Sequence, residues 1–476
     1  MIRVLVFASA LLALAVCAWS QPQPDTLWTH SYDVVLEEIA EAVAPGPNDG
    51  FYLAGWTGSY YQGQSNLLIL RCDAAGDTLW SRRFGDLSGW NDLRDIAYTT
   101  DGGCAAAGYT ETSMESNNAV VIRLDSSGNT LWQHSYGSVG NDVVMMIRQL
   151  DDGGFIVGGS ASSGNLYLLR LTDVGDTLWT RQFDEAGYLL ITDIVVLSNH
   201  DFFLSGESYY EADPFFARVD ETGNLLWIRE YPTFSADDIY SLAMHGEFIY
   251  GAGYLTRGNP NRLDVQLMKL NQDGDTVWTH TFGTNDLNEV AHSIIATEDG
   301  VVLSGYVSHP ETGDVNILLM KYDFNGAMLW SREYGSEWEE TANALIQTDD
   351  GSFLLAGGNS GSDGAIDMLV LKTGPDQVTS APNPRVIPLP QIAALSAYPN
   401  PFNPQTILAF TLPAAAVAGV VIYDANGRLV RTLSKQMYAA GEHHIAFNGA
   451  ELPSGIYFAR LSAGTNAMTQ KLLLVK

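Results

Sequence analysis

At 476 residues the chain exceeds what one compact core usually fills, so either several domains or one large repeat domain with an appendage is expected. Its 24 Lys plus Arg stand against 55 Asp plus Glu, a formal net charge of -31. A surface of that sign repels phosphate backbones and anionic membranes, which excludes nucleic acid as a partner.

The N-terminus runs Met1-Ile2-Arg3, then an apolar stretch from Val4 to Val16, then Ala18-Trp19-Ser20 before Gln21. A basic end, a short apolar core and a small-x-small site predict a signal peptide over residues 1–20. No later segment offers the roughly 20 consecutive apolar residues a membrane-crossing helix needs.

From residue 21 to 374 the text repeats. Trp28, Trp80, Trp132, Trp179, Trp227, Trp278 and Trp330 recur in one context, separated by 52, 52, 47, 48, 51 and 52 residues. A period near 50 with strand-like text signals a β-propeller.

Within each period an Asn or Asp precedes a Lys or Arg by five residues, from Asn66 and Arg71 to Asp367 and Lys372. The residues between are apolar on both parities, as in Leu67-Leu68-Ile69-Leu70, the pattern of a strand buried on both faces. A polar-x-x-Gly turn follows in six repeats, for example Asp125 to Gly128. Next comes the Trp strand, which places Trp80, Arg82 and Phe84, or Trp132, His134 and Tyr136, on one face. A hairpin upstream, such as Ala344–Gln347 and Phe353–Ala356 around Asp349-Asp350-Gly351, brings each period to four strands.

The last repeat stops at Lys372-Thr373-Gly374 without a Trp strand, whereas the chain carries an orphan one at Asp25-Thr26-Leu27-Trp28. That strand is expected to complete the last blade and close a ring of seven, because an open array would leave an unpaired edge. Cys72 and Cys104 fall on neighbouring repeats. Export would permit them to pair, and buried free thiols are the simpler reading.

Residues 375–395 hold Pro375, Pro382, Pro384, Pro388 and Pro390 without apolar periodicity and are read as a linker. Beyond it, short strands are predicted at 406–412, 420–424, 429–433, 443–447, 455–461 and 470–475, with Asn426-Gly427 as a hairpin turn. The fold class is therefore all-β: a seven-bladed propeller followed by a small immunoglobulin-like β-sandwich over 396–476.

Four ordered motifs in this tail carry a resemblance: Tyr398-Pro399-Asn400-Pro401-Phe402-Asn403-Pro404, Val421-Ile422-Tyr423-Asp424-Ala425-Asn426-Gly427-Arg428, Leu452-Pro453-Ser454-Gly455-Ile456-Tyr457-Phe458, and Lys471-Leu472-Leu473-Leu474-Val475-Lys476. Together they resemble the C-terminal sorting domain of type IX secretion cargo and the related flagellar hook-cap immunoglobulin-like domain. One departure is Phe447, where these domains usually carry Trp. The resemblance implies passage through the periplasm and recognition by outer-membrane secretion machinery, then release or surface attachment, with Gly455, Tyr457 and Lys471 serving sorting.

The basic residue on each Trp strand (His30, Arg82, His134, Arg181, Arg229, His280, Arg332) occurs once per blade and is read as packing. The turn from Asp125 to Trp132 resembles the tryptophan-docking repeat of quinoprotein propellers. Those enzymes usually have eight blades and an adjacent cysteine pair, which this sequence lacks, so no cofactor is expected. Turns such as Asn271-Gln272-Asp273-Gly274-Asp275 offer oxygens to calcium but lack the terminal Glu of a calcium loop.

A ligand surface is expected where the repeat is broken by aromatics beside acids: Trp56, Tyr60, Tyr61, Trp90, Tyr209, Tyr210 and Trp338. The function read from this is a secreted or cell-surface binding or scaffold module, not an enzyme, for a carbohydrate or protein surface. The alternative is an extracellular propeller hydrolase or lyase acting on polysaccharide. A hydrolase should gather non-repeated carboxylates at one mouth of the channel, whereas a scaffold should keep sevenfold symmetry there.

Overall fold

Every period of the sequence becomes one antiparallel four-stranded sheet, and seven such sheets follow one another along the chain. The computed structural model describes residues 24–32, 37–59, 63–85, 89–113, 116–137, 140–161, 165–183, 189–208, 213–231, 237–257, 262–284, 286–335, 339–360, 365–375, 395–412, 416–424, 428–438, 441–463 and 466–476. The predicted signal peptide and nearly all of the proline-rich linker lie outside them.

Strand β1 is Thr26–Tyr32, and blade 1 comprises β2 (Glu37–Pro45), β3 (Phe51–Ser59), β4 (Gln64–Cys72) and β5 (Thr78–Phe84). Blade 2 is β6 (Asn91–Tyr98), β7 (Cys104–Ser113), β8 (Ser116–Leu124) and β9 (Thr130–Tyr136). Blade 3 is β10 (Val143–Gln149), β11 (Phe155–Ser160), β12 (Leu166–Leu171) and β13 (Thr177–Phe183). Blade 4 is β14 (Leu189–Val196), β15 (Phe202–Ser208), β16 (Pro214–Val219) and β17 (Leu225–Glu230). Blade 5 is β18 (Asp237–His245), β19 (Phe248–Arg257), β20 (Arg262–Asn271) and β21 (Thr276–Phe282). Blade 6 is β22 (Asn288–Ala296), β23 (Val301–Ser308), β24 (Val315–Tyr322) and β25 (Met328–Tyr334). Blade 7 takes β26 (Glu340–Gln347), β27 (Ser352–Ser360) and β28 (Ile366–Pro375) from the end of the repeat and β1 from its start.

The first strands of successive blades touch in a closed circuit that returns from β26 to β2. Closure is made by backbone pairing: His30 lies opposite Val370 and Tyr32 opposite Met368. The Gly374 amide donates to the Asp25 carbonyl at 2.7 Å. The N-terminal strand thus completes the last blade, as its sequence predicts, and removes the edge that an open array would expose.

Blade-to-blade packing explains the doubly apolar third strands. Leu67 and Ile69 of β4 belong to a core shared with blade 2, while Leu68 and Leu70 belong to a core shared with blade 7. Full burial of each such side chain contributes roughly 1.5–3 kcal/mol.

The Trp strand seals the outside of each junction. Its face packs on the polar-x-x-Gly turn of the following blade: the Arg82 Nε donates to the Gly128 carbonyl at 2.7 Å, and the Tyr136 hydroxyl donates to the Gly175 carbonyl at 2.7 Å. Across the closure the same face of β25 meets the chain just before β1, where the Tyr334 hydroxyl donates to the Pro24 carbonyl at 2.6 Å. Arg82 also lies over the Trp80 ring at 5.2 Å, so the repeated cation belongs to packing.

The third-strand Lys and Arg pair with a feature the sequence pattern did not single out. Arg123 bonds Asp101, Arg218 bonds Asp201 and Lys321 bonds Asp299 at 2.6, 2.7 and 2.6 Å, each acid sitting in the first hairpin turn of the same blade. Cys72 and Cys104 are free and buried in separate cores.

Past the linker, β29 (Leu395–Tyr398), β30 (Gln405–Leu412) and β33 (Gly441–Asn448) form one sheet. The other contains β31 (Ala416–Asp424), β32 (Leu429–Tyr438), β34 (Gly455–Ala463) and β35 (Asn466–Leu474) in the order β32-β31-β34-β35. Phe402, Phe410, Ile422, Phe447, Leu461 and Leu472 share its core.

Candidate functional site

The first strand of every blade breaks register once, and always at the same place. Pairing skips one residue between Ala40 and Ala42, Leu93 and Asp95, Val144 and Met146, Ile191 and Asp193, Ile239 and Ser241, Ala291 and Ser293, and Ala342 and Ala344. Each skip is a β-bulge, which leaves one residue outside the ladder and re-aims it.

The cause is a glycine on the second strand. Gly55, Gly108, Gly159, Gly206, Gly253, Gly305 and Gly357 stand opposite the residue before the bulge, and a Cβ on any of them would fall 1.9 to 2.1 Å from a first-strand carbonyl oxygen. Only a residue without a side chain permits that approach.

The seven bulged residues are Glu41, Arg94, Met145, Thr192, Tyr240, His292 and Asn343, and all of them line one cavity of about 1090 Å³ at the centre of the ring. The backbone device is repeated seven times, yet no two of the side chains it presents are the same.

These side chains are linked around the channel. Arg94 meets Glu41 at 3.3 Å and Asp92 at 3.2 Å. The Asn343 amide donates to the Ala40 carbonyl at 3.2 Å, and its oxygen lies 3.3 Å from His292 Nδ1. His292 in turn stands edge-on to Tyr240 at 5.3 Å.

One step deeper, Arg148 bridges Asp95 and Asp193, the latter at 2.6 Å. Asp193 also accepts from the Leu242 amide at 2.8 Å and the Ser241 hydroxyl at 3.1 Å. Burial opposes the charge on Arg148, but Asp95 and Asp193 outweigh it and hold the guanidinium protonated. Burial lowers the His292 pKa, which favours a neutral imidazole.

One carboxyl pair is bridged differently. Glu207 on β15 and Asp238 on β18 face each other across the junction of blades 4 and 5, and both line the cavity. Burial first, and the Glu207 charge second, push the Asp238 pKa up to about 8. The Tyr240 hydroxyl bonds Asp238 and is also hydrogen-bonded with Tyr254. Asp238 is 2% exposed, and its Oδ1 has no hydrogen-bond partner among the described residues.

Of the aromatic residues expected at a ligand surface, Trp56 and Trp90 are described, and neither lines this cavity. Trp56 lies within β3 and is 3% exposed, so it is a core residue and not the exposed loop aromatic its sequence context suggests. Trp90, half-buried just before β6, packs against it with the rings tilted at 48° and 5.4 Å apart. Tyr60, Tyr61, Tyr209, Tyr210 and Trp338 lie outside the described residues. In the turn considered for calcium, Asn271 Oδ1 accepts from the Asp273 and Asp275 amides at 3.0 and 2.8 Å, and Asp275 pairs with Arg229 at 2.8 Å.

In the C-terminal unit three of the four motifs meet at the last strand, and residues 421–424 pair with its neighbour β34. Tyr457 is buried opposite Leu472, and its hydroxyl donates to the Pro453 carbonyl at 2.8 Å, while Lys471 is exposed and pairs with Phe458. Gly455 starts the same strand as Tyr457, opposite Leu474. Asn400 clamps the final strand from the other side, donating to the Lys471 carbonyl and accepting from the Leu473 amide, both at 2.8 Å. Phe447 packs against Phe402 at 5.6 Å, filling the place where related tails carry Trp.

Residues 396–476 match the secretion system C-terminal sorting domain. That domain directs the chain to the cell surface or the medium by type IX secretion. No curated protein matches the chain. Among solved structures, the WD40 domain of Neurospora crassa Pan2 is similar at 10% identity, covering 71% of this chain and 90% of that one with a TM-score of 0.47. YCF48 bound to D1 peptide is similar at 8% identity over 74% and 97% of the two chains, TM-score 0.47. PorZ, a surface component of the type IX secretion system of Porphyromonas gingivalis, is similar at 11% identity over 90% of this chain and 68% of that one, TM-score 0.35.

Proposed function

We propose that this exported propeller is a recognition module whose ligand site is the mouth of the central channel, while its tail serves only delivery. One observation carries the reading: seven equivalent bulges present seven different side chains to one cavity. Packing alone would repeat a residue that works, as the outer Trp strand does; selection for a ligand would diversify the positions that touch it.

The polar composition of the ring suits a carbohydrate or a polar peptide surface. Arginine bridges four acids in and around the channel, Glu41 and Asp92 through Arg94, and Asp95 and Asp193 through Arg148. A second reading, a hydrolase or lyase acting on polysaccharide, is favoured by Glu207 and Asp238, the non-repeated acids that such an enzyme would need at one mouth.

A glycan and peptide array combined with a turnover screen tests both. The expected result is selective binding without released product, at least tenfold weaker in Arg94→Ala and unchanged in Arg82→Ala on the outer rim. Equal binding by both variants would remove the channel from the function, and sugar products lost in Glu207→Gln would replace recognition by catalysis.

A further inference from the structure

Three junctions of the channel bring carboxyl groups of different blades together. At two of them an arginine of the chain itself lies between: Arg94 joins Glu41 of blade 1 to Asp92 of blade 2, and Arg148 joins Asp95 of blade 2 to Asp193 of blade 4. At the third, Glu207 of blade 4 meets Asp238 of blade 5, and neither forms an ion pair with a described lysine or arginine. An arginine thus lies between the acids at two of the junctions, and none among the described residues does so at the third.

The surroundings of that third junction are rich in acceptors and poor in donors. Asp238 lines the cavity, and its buried Oδ1 has no partner among the described residues. The Tyr240 and Tyr254 rings stand 5.7 Å apart beside it, and Tyr240 is flanked by His292, which itself lies 5.5 Å from Tyr306. Tyrosine ring faces attract cations, most strongly in desolvated sites. The nearby hydroxyls are already engaged: Thr192 donates to the Ile239 carbonyl at 2.5 Å and Ser241 to Asp193 at 3.1 Å.

We propose that Glu207 and Asp238, backed by Tyr240 and Tyr254, form a subsite for a hydrogen-bonding organic cation, the ammonium or guanidinium end of a peptide side chain that enters the channel. The inference rests on the channel being the recognition site. A multi-donor cation fits because it can give N–H bonds to both carboxyls at once and complete Asp238 Oδ1, which a single hydroxyl cannot do. A divalent metal fits less well: calcium asks for six to eight oxygens, and no group of three or more acidic, His or Cys side chains gathers for a metal among the described residues.

Proton balance follows from the same pair. The titratable groups facing Asp238 are Glu207 of β15, Tyr240 of its own strand and Tyr254 of β19, with Asp237 and His292 further out. Below about pH 8 Asp238 holds a proton, so an entering cation must displace it, and binding weakens by up to about tenfold per pH unit as the pH falls.

The test titrates the whole exported protein with Nα-acetyl-lysine methylamide, Nα-acetyl-arginine methylamide and the uncharged Nα-acetyl-norleucine methylamide, in two buffers of different ionisation enthalpy. Expected are binding of at least one cationic probe with proton release at pH 7, none by norleucine, and at least a tenfold loss in Asp238→Asn together with loss of the pH dependence. Asp238→Asn replaces a carboxyl that is neutral below about pH 8 with a neutral amide of the same shape and should fold well; Glu207→Gln is the second variant and should weaken binding comparably. Equal binding of the norleucine probe, or cation binding unchanged in both variants, overturns the subsite. If the cationic probes fail while an array ligand still depends on Arg94, the cation inference falls and the channel reading stands; if nothing depends on Arg94, both fall.

Discussion

The outer rim and the central channel of this propeller obey the same sevenfold repeat with opposite chemistry. On the rim the side chains repeat with the backbone: Trp80 with Arg82, Trp179 with Arg181, and Trp227 with Arg229 each place a guanidinium over an indole at 5.2 to 5.4 Å. In the channel the backbone repeats through its bulges and the side chains do not. A repeated side chain marks a place that must solve the same packing problem seven times, and a repeated backbone with varied side chains marks a place released from that problem.

The largest break in the comparison comes from removing closure itself. Deleting residues 24–32 takes away the partner of β28 and the docking point of Tyr334. Rim and channel should be lost together: the expected outcome in a calorimetric scan is loss of the cooperative propeller transition. A transition unchanged in midpoint and enthalpy would show that the ring does not depend on β1.

A finer cut acts on the channel alone. In Gly108→Ala the new methyl would meet the Asp92 carbonyl oxygen at 1.9 Å, so the strands must part or the bulge that carries Arg94 must straighten. Destabilisation of about 3 kcal/mol is expected by chemical denaturation, together with weakened ligand binding because Arg94 is re-aimed.

The smallest effect belongs to the rim. Arg82→Ala removes bonds to the Gly128 and Ser127 carbonyls and the contact over Trp80. A loss of about 1 kcal/mol without any change in ligand binding is expected. If Arg82→Ala impairs binding as much as Gly108→Ala does, the division between rim and channel is wrong.

Much of the fold was legible because its signals are periodic. The tryptophans fixed the number of blades, and the doubly apolar strand Leu67-Leu68-Ile69-Leu70 announced packing on both faces. The orphan strand at Trp28 pointed to the closure that pairs it with Lys372. Six strands of the tail also stand where the sequence puts them, whereas Leu395–Tyr398 went unseen because it is short and lies against the proline-rich linker.

The candidate site was less legible, since a bulged residue is one polar position in an otherwise apolar strand, and seven different residues leave no pattern to align. The detectable signal was the glycine opposite, recurring from Gly55 to Gly357 one strand before the buried one. Trp56 misled for a related reason: an aromatic beside a tyrosine pair reads as surface, but its place two residues from Ala54 on β3 puts it into the core.

The closing strand also sets an order of events in time. The ring joins Pro24 and Asp25 to residues more than 300 positions later in the chain. It therefore cannot close while the last blade is still being made, and until then each nascent intermediate carries an open sheet edge. The address for export is encoded after that last blade, at 396–476. A polypeptide cut short before its ring can close consequently also lacks the label that would send it out, so the linear arrangement of the two parts works as a checkpoint: only chains long enough to fold completely carry the signal to leave.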